Sequence, residues 1–393
     1  MFRVRTYNKI AENGLRILRE AGITVDPAVE DPDGILVRSA ALHEIEFGPQ
    51  LKAIARAGAG YNNVPVDRCN ETGIVVFNTP GANANSVKEL VITGLLLSSR
   101  RIVQGINWAH SLTGKGDEVP ALIEKGKSSF VGPEISGKTL GVIGLGAIGV
   151  MVSNAAEALG MRVIGYDPYL SVESAWGLSR TVERAPSIES LFADSDYITL
   201  HVPLNGTTRQ MLSKDAFGKM KPGVRVLNLA RGGLVDDHAL LNAVEDGTVE
   251  CYVTDFPTDE LVCNEKVLPV PHLGASTPEA EENCALMAAR QLRDYLLNGN
   301  IVNSVNFPDC EMGPSENERL VIANRNIPNM VGQITTILAE DNHNILDLLN
   351  RHKDDLAYNI IDIERTLSPE ALHRMRAIDG VLMVREVHAH PHH

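Results

Sequence analysis

The sequence predicts an α/β protein with two doubly wound parallel-sheet domains and a smaller C-terminal βαββαβ domain. Three observations carry this prediction. Short apolar strands alternate with helices over residues 2–95. A glycine-rich turn near residue 144 then opens a second alternation of strands and helices, which continues to residue 297. Residues 318–393 follow the order strand, helix, strand, strand, helix, strand, which is the ferredoxin-like pattern.

The first predicted domain combines residues 1–95 with residues 285–307. Its expected strands cover 34–38, 52–56 and 74–78, and its expected helices cover 8–21 and 66–72. A helical stretch over 86–109 is too long for a simple connector, so it is predicted to span the boundary with the next domain. The helix predicted over 277–297 returns the chain to the first domain, which makes that domain discontinuous.

The second predicted domain, residues 96–284, begins with a glycine-rich turn of the form G-x-G-x-x-G. The turn consists of Gly144, Leu145, Gly146, Ala147, Ile148 and Gly149, between a predicted strand over 139–143 and a predicted helix over 147–159. The next strand, 162–166, is closed by Asp167, 18 positions after the last glycine and near the roughly 20 of the Rossmann dinucleotide fingerprint. The glycines permit the tight turn, the approach of a pyrophosphate and close helix–strand packing, and the helix N-terminus stabilises the phosphates. Asp167 would accept hydrogen bonds from the adenosine ribose, so the predicted cofactor is NAD.

The remaining elements complete the predicted architecture. Later strands are expected over 197–202, 224–229, 251–255 and 266–269, with helices over 214–219 and 237–245 between them, as in a parallel sheet. Residues 308–317 form a polar linker that contains Pro and Gly. Beyond the linker, strands are expected over 319–323, 345–350, 356–363 and 381–387, and helices over 330–340 and 369–377.

Composition narrows the function classes. The 393 residues are 44% hydrophobic and 22% charged, with a net charge of −14, which argues against nucleic acid or an anionic membrane as the main partner. The N-terminus lacks the apolar core of a signal peptide, and no apolar run is long enough to span a membrane. Five widely spaced cysteines without a C-x-x-C pattern indicate reduced thiols in the cytoplasm and no metal site. The His-rich end, residues 388–393, is either a metal-binding segment or, more simply, a tail or cloning remnant.

Three polar segments follow predicted strands, where open α/β sheets place their ligands. They are residues 228–236, 255–260 and 271–277. Arg231 offers a planar guanidinium that matches a carboxylate. His272 offers an imidazole that exchanges a proton near neutral pH, and Glu260 offers a carboxylate to orient that imidazole. Together these groups suit hydride transfer to or from a 2-hydroxy acid.

The chain resembles the D-2-hydroxyacid dehydrogenase family, and within it the phosphoglycerate dehydrogenase branch. The resemblance is carried by residues 55–63, 76–80 with 87–90, 144–149, 201–203, 230–233 and 272–277. It implies that Arg231, Glu260 and His272 are catalytic. It implies cofactor contacts at Gly144, Gly146, Ala147, Ile148, Gly149, Asp167, Val202, Pro203, Leu229, Ala230, Arg231, Asp255, His272, Gly274 and Ala275. It also implies that the loop with Arg56, Gly58 and Ala59 holds the substrate together with Arg231.

One segment departs from the family pattern. The usual acidic segment has Val and Phe after its Asp and Pro after its Glu, whereas this chain has Phe256 and Pro257 and then Leu261. The spacing of five from Asp255 to Glu260 is kept, so Glu260 is the predicted carboxylate and Asp259 the alternative.

The C-terminal unit resembles an ACT domain, a small-ligand module of amino-acid biosynthesis enzymes. Asn324, Asn326 and Asn344 match the positions that hold the amino acid in serine-sensitive relatives, and asparagine can both donate to and accept from a zwitterion. L-serine is therefore the expected effector, and a purely dimerising module is the alternative. The resemblance also implies a homo-oligomer whose contacts involve 86–109 and its extension toward Phe130.

The expected function is NAD-dependent oxidation of 3-phospho-D-glycerate to 3-phosphooxypyruvate, the first step of L-serine biosynthesis. A related glyoxylate, hydroxypyruvate or other D-2-hydroxyacid dehydrogenase is one alternative, because Arg38, Arg56 and Lys127 are only candidate cations for the substrate phosphate. A non-enzymatic NAD-sensing protein is the other alternative.

Overall fold

The computed structural model describes residues 1–388, so all but the first residue of the His-rich end lies outside the described residues. Two compact units are present. One contains residues 1–83 and the chain from Glu281 onward, and the other contains residues 84–280. Each has a parallel sheet, and the first also carries a smaller antiparallel sheet, which confirms the predicted fold class.

Within residues 1–388 the strands and helices are as follows. Strands β1 to β16 are Arg3–Tyr7, Thr24–Val25, Gly34–Val37, Ala53–Arg56, Val75–Phe77, Thr139–Ile143, Arg162–Tyr166, Glu183–Arg184, Tyr197–Leu200, Val224–Asn228, Val249–Thr254, Val267–Pro269, Glu318–Arg325, Ile345–Lys353, Leu356–Ile363 and Val381–Val387. Helices α1 to α14 are Glu12–Glu20, Val66–Thr72, Ala84–Ser99, Ile102–Ser111, Val119–Gly126, Ala147–Ala158, Val172–Gly177, Ile188–Asp194, Lys214–Phe217, Asp237–Glu245, Asp259–Val262, Pro278–Asn298, Met330–Glu340 and Pro369–Arg376.

The sheet of residues 139–269 has the order β12-β11-β10-β9-β6-β7-β8, with every strand pair parallel. Strand β6 is buried at all five positions, as a strand covered by helices on both faces must be. Strands β7 and β9 flank β6, so the direction of chain progression reverses there. The carboxyl ends of β6, β7, β9, β10, β11 and β12 therefore meet at one edge, where such sheets bind ligands.

The sheet of residues 3–77 is also parallel, in the order β2-β1-β3-β4-β5. Strand β3 is buried at all four positions, and the strand residues Ala53 to Ala55 of β4 are buried as well. Helix α12 contributes Ala285, Leu292 and Tyr295 to the same apolar core. The predicted return of the chain to its first domain is thus a feature of the structure.

The C-terminal sheet is antiparallel, in the order β14-β15-β13-β16. One face packs on α13 and α14 through Leu320, Ile322 and Ile361. The other face shares a core with α12, and the hydroxyl of Tyr358 donates to the carbonyl oxygen of Gly299 at 2.8 Å. The unit expected to stand apart after the linker is therefore joined to the first sheet domain by a common core.

One predicted helix and the predicted domain boundaries differ from those of the structure. The stretch predicted as one helix over 86–109 is two helices, α3 and α4, separated at Arg100 and Arg101. The hydroxyls of Ser98 and Ser99 both donate to the carbonyl of Leu95, which competes with continuation of the helix. Helix α3 belongs entirely to the unit of residues 84–280, whereas the predicted boundary lay at 95/96.

Close packing explains the placement of α3. A Cβ on Gly94 would lie 3.0 Å from Leu227 Cδ2 and 3.2 Å from Val253 Cγ1, so this helix lies directly on β10 and β11. The second predicted boundary, 284/285, compares with 280/281 in the structure, where α12 continues from one unit into the other.

Candidate active site

The three glycines of the turn after β6 have three different surroundings. Gly144 has a φ of +91°, and a Cβ there would lie 2.6 Å from the carbonyl oxygen of His201. A Cβ on Gly149 would overlap the carbonyl oxygen of Gly144, so α6 lies tightly against the turn. Gly146 has no neighbouring atom within 4 Å of that position, which leaves open space at the N-terminus of α6. This space suits a pyrophosphate close to the backbone.

Asp167 lies beside this turn, at the end of β7. Its Oδ2 accepts from the amide of Leu145 at 2.8 Å, and its Oδ1 accepts from the amide of Tyr169 at 2.8 Å. The carboxylate is half-buried and is thereby held in one orientation. Each oxygen keeps a further lone pair, so the group can still accept from a ribose hydroxyl.

The other predicted cofactor residues follow neighbouring strands or begin α6. Ala147 and Ile148 form the first turn of α6. The remaining ones lie after β9, β10, β11 and β12: Val202, Pro203, Leu229, Ala230, Arg231, Asp255, His272, Gly274 and Ala275. A Cβ on Gly274 would lie 3.3 Å from Val87 Cγ2 and 3.8 Å from Asp255 Oδ2. The predicted set therefore shares one edge of the sheet.

Asp255 is a buried carboxylate, 3% exposed. Neither of its oxygens has a hydrogen-bond partner within the described residues. Burial raises the pKa of Asp255, and the nearby charges of His272 and Arg231 act in the opposite direction. A buried acceptor of this kind calls for a donor from a ligand, and an amide group supplies one. With the open space at Gly146, these residues fit a bound dinucleotide.

Arg231 is exposed on a loop that Asn228 holds in place. The side-chain amide of Asn228 donates to the carbonyl oxygen of Arg231 at 2.9 Å, and its oxygen accepts from the amides of Ala230 and Arg231 at 3.3 and 3.4 Å. The guanidinium donates to the carbonyl oxygen of Ala230 at 2.6 Å. The remaining donors of the guanidinium are available to a substrate.

His272 is exposed and lies against an aromatic ring. The centroids of its imidazole and the Phe256 ring are 4.6 Å apart, with the planes at 60°. On the other side of this loop, Ser86 at the start of α3 donates to the carbonyl oxygen of Gly274. Phe256 was expected only as a departure from the usual acidic segment, and Asn228 and Ser86 were not among the predicted site residues. The sequence signal for Phe256 is an aromatic residue directly after Asp255. Asn228 and Ser86 have no sequence signal of their own.

Glu260 is placed differently from the expectation. It lies in α11, and its Oε2 is 3.5 Å from Nδ1 of His238, at the first turn of α10. Within the described residues the structure pairs Glu260 with His238 and does not bring it to His272. The charge of His272 acts on Asp255, where it opposes the rise in pKa that burial causes. The alternative, Asp259, is the first residue of α11 and is exposed.

The predicted substrate loop follows β4 in the other unit. Gly58 has a φ of +151°, a backbone conformation that favours glycine, and the Arg56 guanidinium occupies the space where a Cβ would lie. The amide of Gly58 donates to the carbonyl oxygen of Arg56 at 2.9 Å. The carbonyl oxygen of Ala59 accepts from the Asn78 side chain at 2.7 Å. One hydrogen bond within the loop and one from Asn78 thus hold its backbone.

The three predicted effector residues differ in availability. Asn324 is buried: its amide donates to the carbonyl oxygen of Arg325 at 2.6 Å, and its oxygen accepts from Asn359 at 2.8 Å. Asn326 is exposed and donates to the carbonyl oxygen of Asp354 at 3.2 Å. Asn344 is exposed and lies 3.4 Å from Glu364 Oε1. Only the last two present polar groups at the surface.

Membrane-spanning helices and metal sites are two other features of interest. Within residues 1–388, no helix has the length and apolar character needed to cross a membrane. Over the same residues, no group of three or more histidine, cysteine, aspartate or glutamate side chains is placed to hold a metal ion.

Known proteins resemble this chain over most of its length. A family model described as "D-isomer specific 2-hydroxyacid dehydrogenase, NAD binding domain" matches residues 93–276. A D-3-phosphoglycerate dehydrogenase of Methanocaldococcus jannaschii is 32% identical over 412 residues, covering 98% of this chain and 75% of that protein. Proteins of the same name from Rattus norvegicus and Mycobacterium bovis are 35% and 38% identical over 76% and 71% of this chain. The chain spans 55% and 52% of the length of those two relatives.

Solved structures give the same assignment. The NAD+-bound 3-phosphoglycerate dehydrogenase of Entamoeba histolytica is 30% identical with a TM-score of 0.61, covering 78% of this chain and 98% of that one. A glyoxylate reductase from Paecilomyes thermophila is 26% identical with a TM-score of 0.64, covering 77% of this chain and 98% of that one. The chain therefore belongs to the D-isomer specific 2-hydroxyacid dehydrogenases and is an NAD-dependent oxidoreductase.

Proposed function

We propose that this chain oxidises 3-phospho-D-glycerate to 3-phosphooxypyruvate, the first step of L-serine biosynthesis. The observation that carries the proposal is the shared sheet edge at which Arg231, His272 and the buried Asp255 follow successive strands. The names of the relatives from Methanocaldococcus, Rattus and Mycobacterium support the choice of substrate. In this reaction the C2–OH of the substrate loses a hydride from carbon and a proton from oxygen, which leaves a C2 carbonyl.

The residues of this chain divide that work. Gly146, Asp167 and Asp255 hold the dinucleotide, which when bound supplies the hydride acceptor. The guanidinium of Arg231 binds the substrate carboxylate and polarises the oxygen on C2. The imidazole of His272 takes the hydroxyl proton during oxidation and returns it during reduction.

Three acidic residues are candidates for the carboxylate that orients the His272 imidazole. Glu260 is the predicted carboxylate, Asp259 is the alternative, and Asp255 is the buried carboxylate whose raised pKa the charge of His272 opposes. Glu260→Gln, Asp259→Asn and Asp255→Asn, compared for kcat and for the Kd of NAD, tell them apart. Loss of kcat at constant Kd identifies the orienting group, whereas a raised Kd identifies a cofactor contact. If Glu260→Gln retains wild-type kcat, Glu260 does not orient the imidazole.

The phosphate of the substrate is tested with a panel of acids. We expect kcat/KM for 3-phosphoglycerate to exceed the values for D-glycerate, D-lactate and glycolate. The panel is assayed in both directions, with 3-phosphooxypyruvate, hydroxypyruvate and glyoxylate as the oxidised forms. The glyoxylate reductase among the structural neighbours makes glyoxylate or hydroxypyruvate the second candidate. Equal or better rates with glyoxylate or hydroxypyruvate would replace the proposed substrate.

We also propose inhibition by L-serine through the exposed Asn326 and Asn344, and assembly into a homo-oligomer. Asn344→Ala should relieve the inhibition, whereas unchanged wild-type activity in millimolar serine would leave the C-terminal unit a purely structural module. Light scattering measures the oligomeric state.

The five cysteines are free thiols, which supports a location in the cytoplasm.

A further inference from the structure

The ring of Phe256 packs against the His272 imidazole. Both residues lie in the unit of residues 84–280, with ring centroids 4.6 Å apart and an interplanar angle of 60°. This separation and tilt fall within the favourable range for two aromatic rings. No hydrogen bond or ion pair of His272 is found within the described residues, so the aromatic contact stands without a polar one beside it.

Phe256 is itself held between two segments of the site. Its amide donates to Thr254 Oγ1 at 3.1 Å, which fixes the backbone just after β11. On its other side lies the loop of Arg231, where a Cβ on Gly232 would be 3.5 Å from Phe256 Cβ and 3.7 Å from Cδ1. The half-buried Phe256 therefore lies beside the loop that carries the guanidinium, and its ring packs against the imidazole.

The imidazole depends on such a contact because its surroundings are open. Pro271, His272 and Leu273 are all exposed, and the carboxylate of Glu260 pairs with His238 instead. An exposed side chain with no partner samples several rotamers, and proton transfer requires one of them. A ring packed against the imidazole reduces that freedom before the substrate binds.

We propose that Phe256 is a positioning residue that fixes the orientation of the His272 imidazole for proton transfer. This inference rests on the proposed function, because it assigns to His272 the proton of the substrate hydroxyl. It adds a residue directly after Asp255, at the position where the chain departs from the usual acidic segment.

Kinetics of three substitutions test the role. Phe256→Leu keeps an apolar side chain of similar size, Phe256→Ala removes it, and Phe256→Tyr keeps the ring. We expect Phe256→Leu to lower kcat about 2- to 13-fold, the factor that an aromatic pair is typically worth. Phe256→Ala should lower kcat at least as much as Phe256→Leu, whereas Phe256→Tyr should keep kcat near the wild-type value. The KM for 3-phosphoglycerate and the Kd of NAD should stay within twofold, because the ring acts through His272. Phe2→Leu, at the N-terminus in the other unit, is the matched control and should leave all constants unchanged.

A second measurement does not depend on activity. An aromatic ring at this distance shifts the NMR resonances of the imidazole, and 13C-labelled histidine reports them in the free enzyme. The His272 signal is identified by its loss in His272→Gln. We expect it to move in Phe256→Leu and to stay in Phe256→Tyr and Phe2→Leu. A His272 signal that is the same in wild type and Phe256→Leu would overturn the inference, as would an unchanged kcat. A wild-type enzyme without turnover but with the ring-dependent shift would instead overturn the proposed function.

Discussion

Arg319 and Asp362 face each other across β13 and β15 in a bidentate ion pair with N–O distances of 2.7 and 3.0 Å. The side chains are only 3% and 12% exposed. The guanidinium also donates to the carbonyl oxygens of Asn298 and Gly313, at 3.1 and 2.8 Å. One buried cation therefore joins the C-terminal sheet, the end of α12 and the segment between them.

Removing one partner of this pair should destabilise the C-terminal sheet strongly. Asp362→Ala leaves the Arg319 charge buried without its partner, which typically costs about 3–5 kcal/mol. Denaturant unfolding followed by circular dichroism measures the loss. The matched control is Arg162→Ala, whose bidentate ion pair with Glu183 is about half exposed and should contribute much less stability. Equal losses of stability in the two variants would show that the buried ion pair contributes no more than the exposed one.

Gly146→Ala and Gly149→Ala should separate cofactor binding from folding. The first adds a methyl group to open space, so the melting temperature should stay near that of wild type while NAD affinity falls at least tenfold. The second drives a methyl group into the carbonyl of Gly144, so the melting temperature itself should fall. Calorimetric titration with NAD and thermal melting give the two quantities. A Gly146→Ala enzyme with wild-type NAD affinity would place the pyrophosphate elsewhere.

Asp167 should set the preference between the two nicotinamide cofactors. Its carboxylate can accept from a ribose hydroxyl and repels a 2′-phosphate, so Asp167→Ser should weaken NAD binding and raise the ratio of NADP to NAD affinity. Glu173→Gln removes an exposed acidic side chain from α7 and serves as the control. Identical cofactor ratios in wild type and Asp167→Ser would remove the assignment.

His201 should contribute to acid unfolding. Burial lowers the pKa of His201 from its usual 6.5 to about 3, and its buried Nδ1 has no hydrogen-bond partner in residues 1–388. The unfolded chain therefore binds a proton that the folded chain excludes between these values. Its contribution to stability is fully present above pH 6.5 and is lost as the pH falls towards 3. In that window one proton changes the free energy of unfolding by about 1.4 kcal/mol per pH unit.

His201→Gln should make the loss of stability on acidification shallower by about that slope. Urea midpoints measured at half-unit steps from pH 7 to pH 4 give the comparison. If the stabilities of wild type and His201→Gln fall equally with pH, the pKa of His201 is not lowered in the folded protein.

Sequence patterns predicted the helices and strands that are specified by residues close together in the chain. Strand β6 and helix α6 carry a glycine turn with a definite spacing, and helices α2, α10 and α13 have the bounds that their apolar and polar patterns indicate. The short α7, α8 and α11 lack such a pattern and were not predicted. Helices α2 and α9 are equally short and were predicted, so over four to seven residues the weak periodicity identifies some helical turns and misses others.

Contacts between distant segments were the part that the sequence could not provide. The pairing of Glu260 with His238 depends on where α11 lies against α10, and the spacing of Glu260 from Asp255 carries no such information. The docking of the C-terminal sheet on α12 likewise depends on Arg385, which donates to the carbonyl oxygens of Leu296 and Tyr295 at 2.6 Å each. Nothing in the linker before that sheet indicates this contact.

NADH formation from NAD and 3-phosphoglycerate by wild type and His272→Ala, with the Kd of NAD measured for both, tests whether this chain is the proposed dehydrogenase with His272 as its acid and base. That assignment predicts turnover by wild type, a fall of at least a hundredfold in kcat for His272→Ala, and an NAD affinity that changes little. Absence of turnover by wild type in both directions, or equal turnover by wild type and His272→Ala, would contradict it.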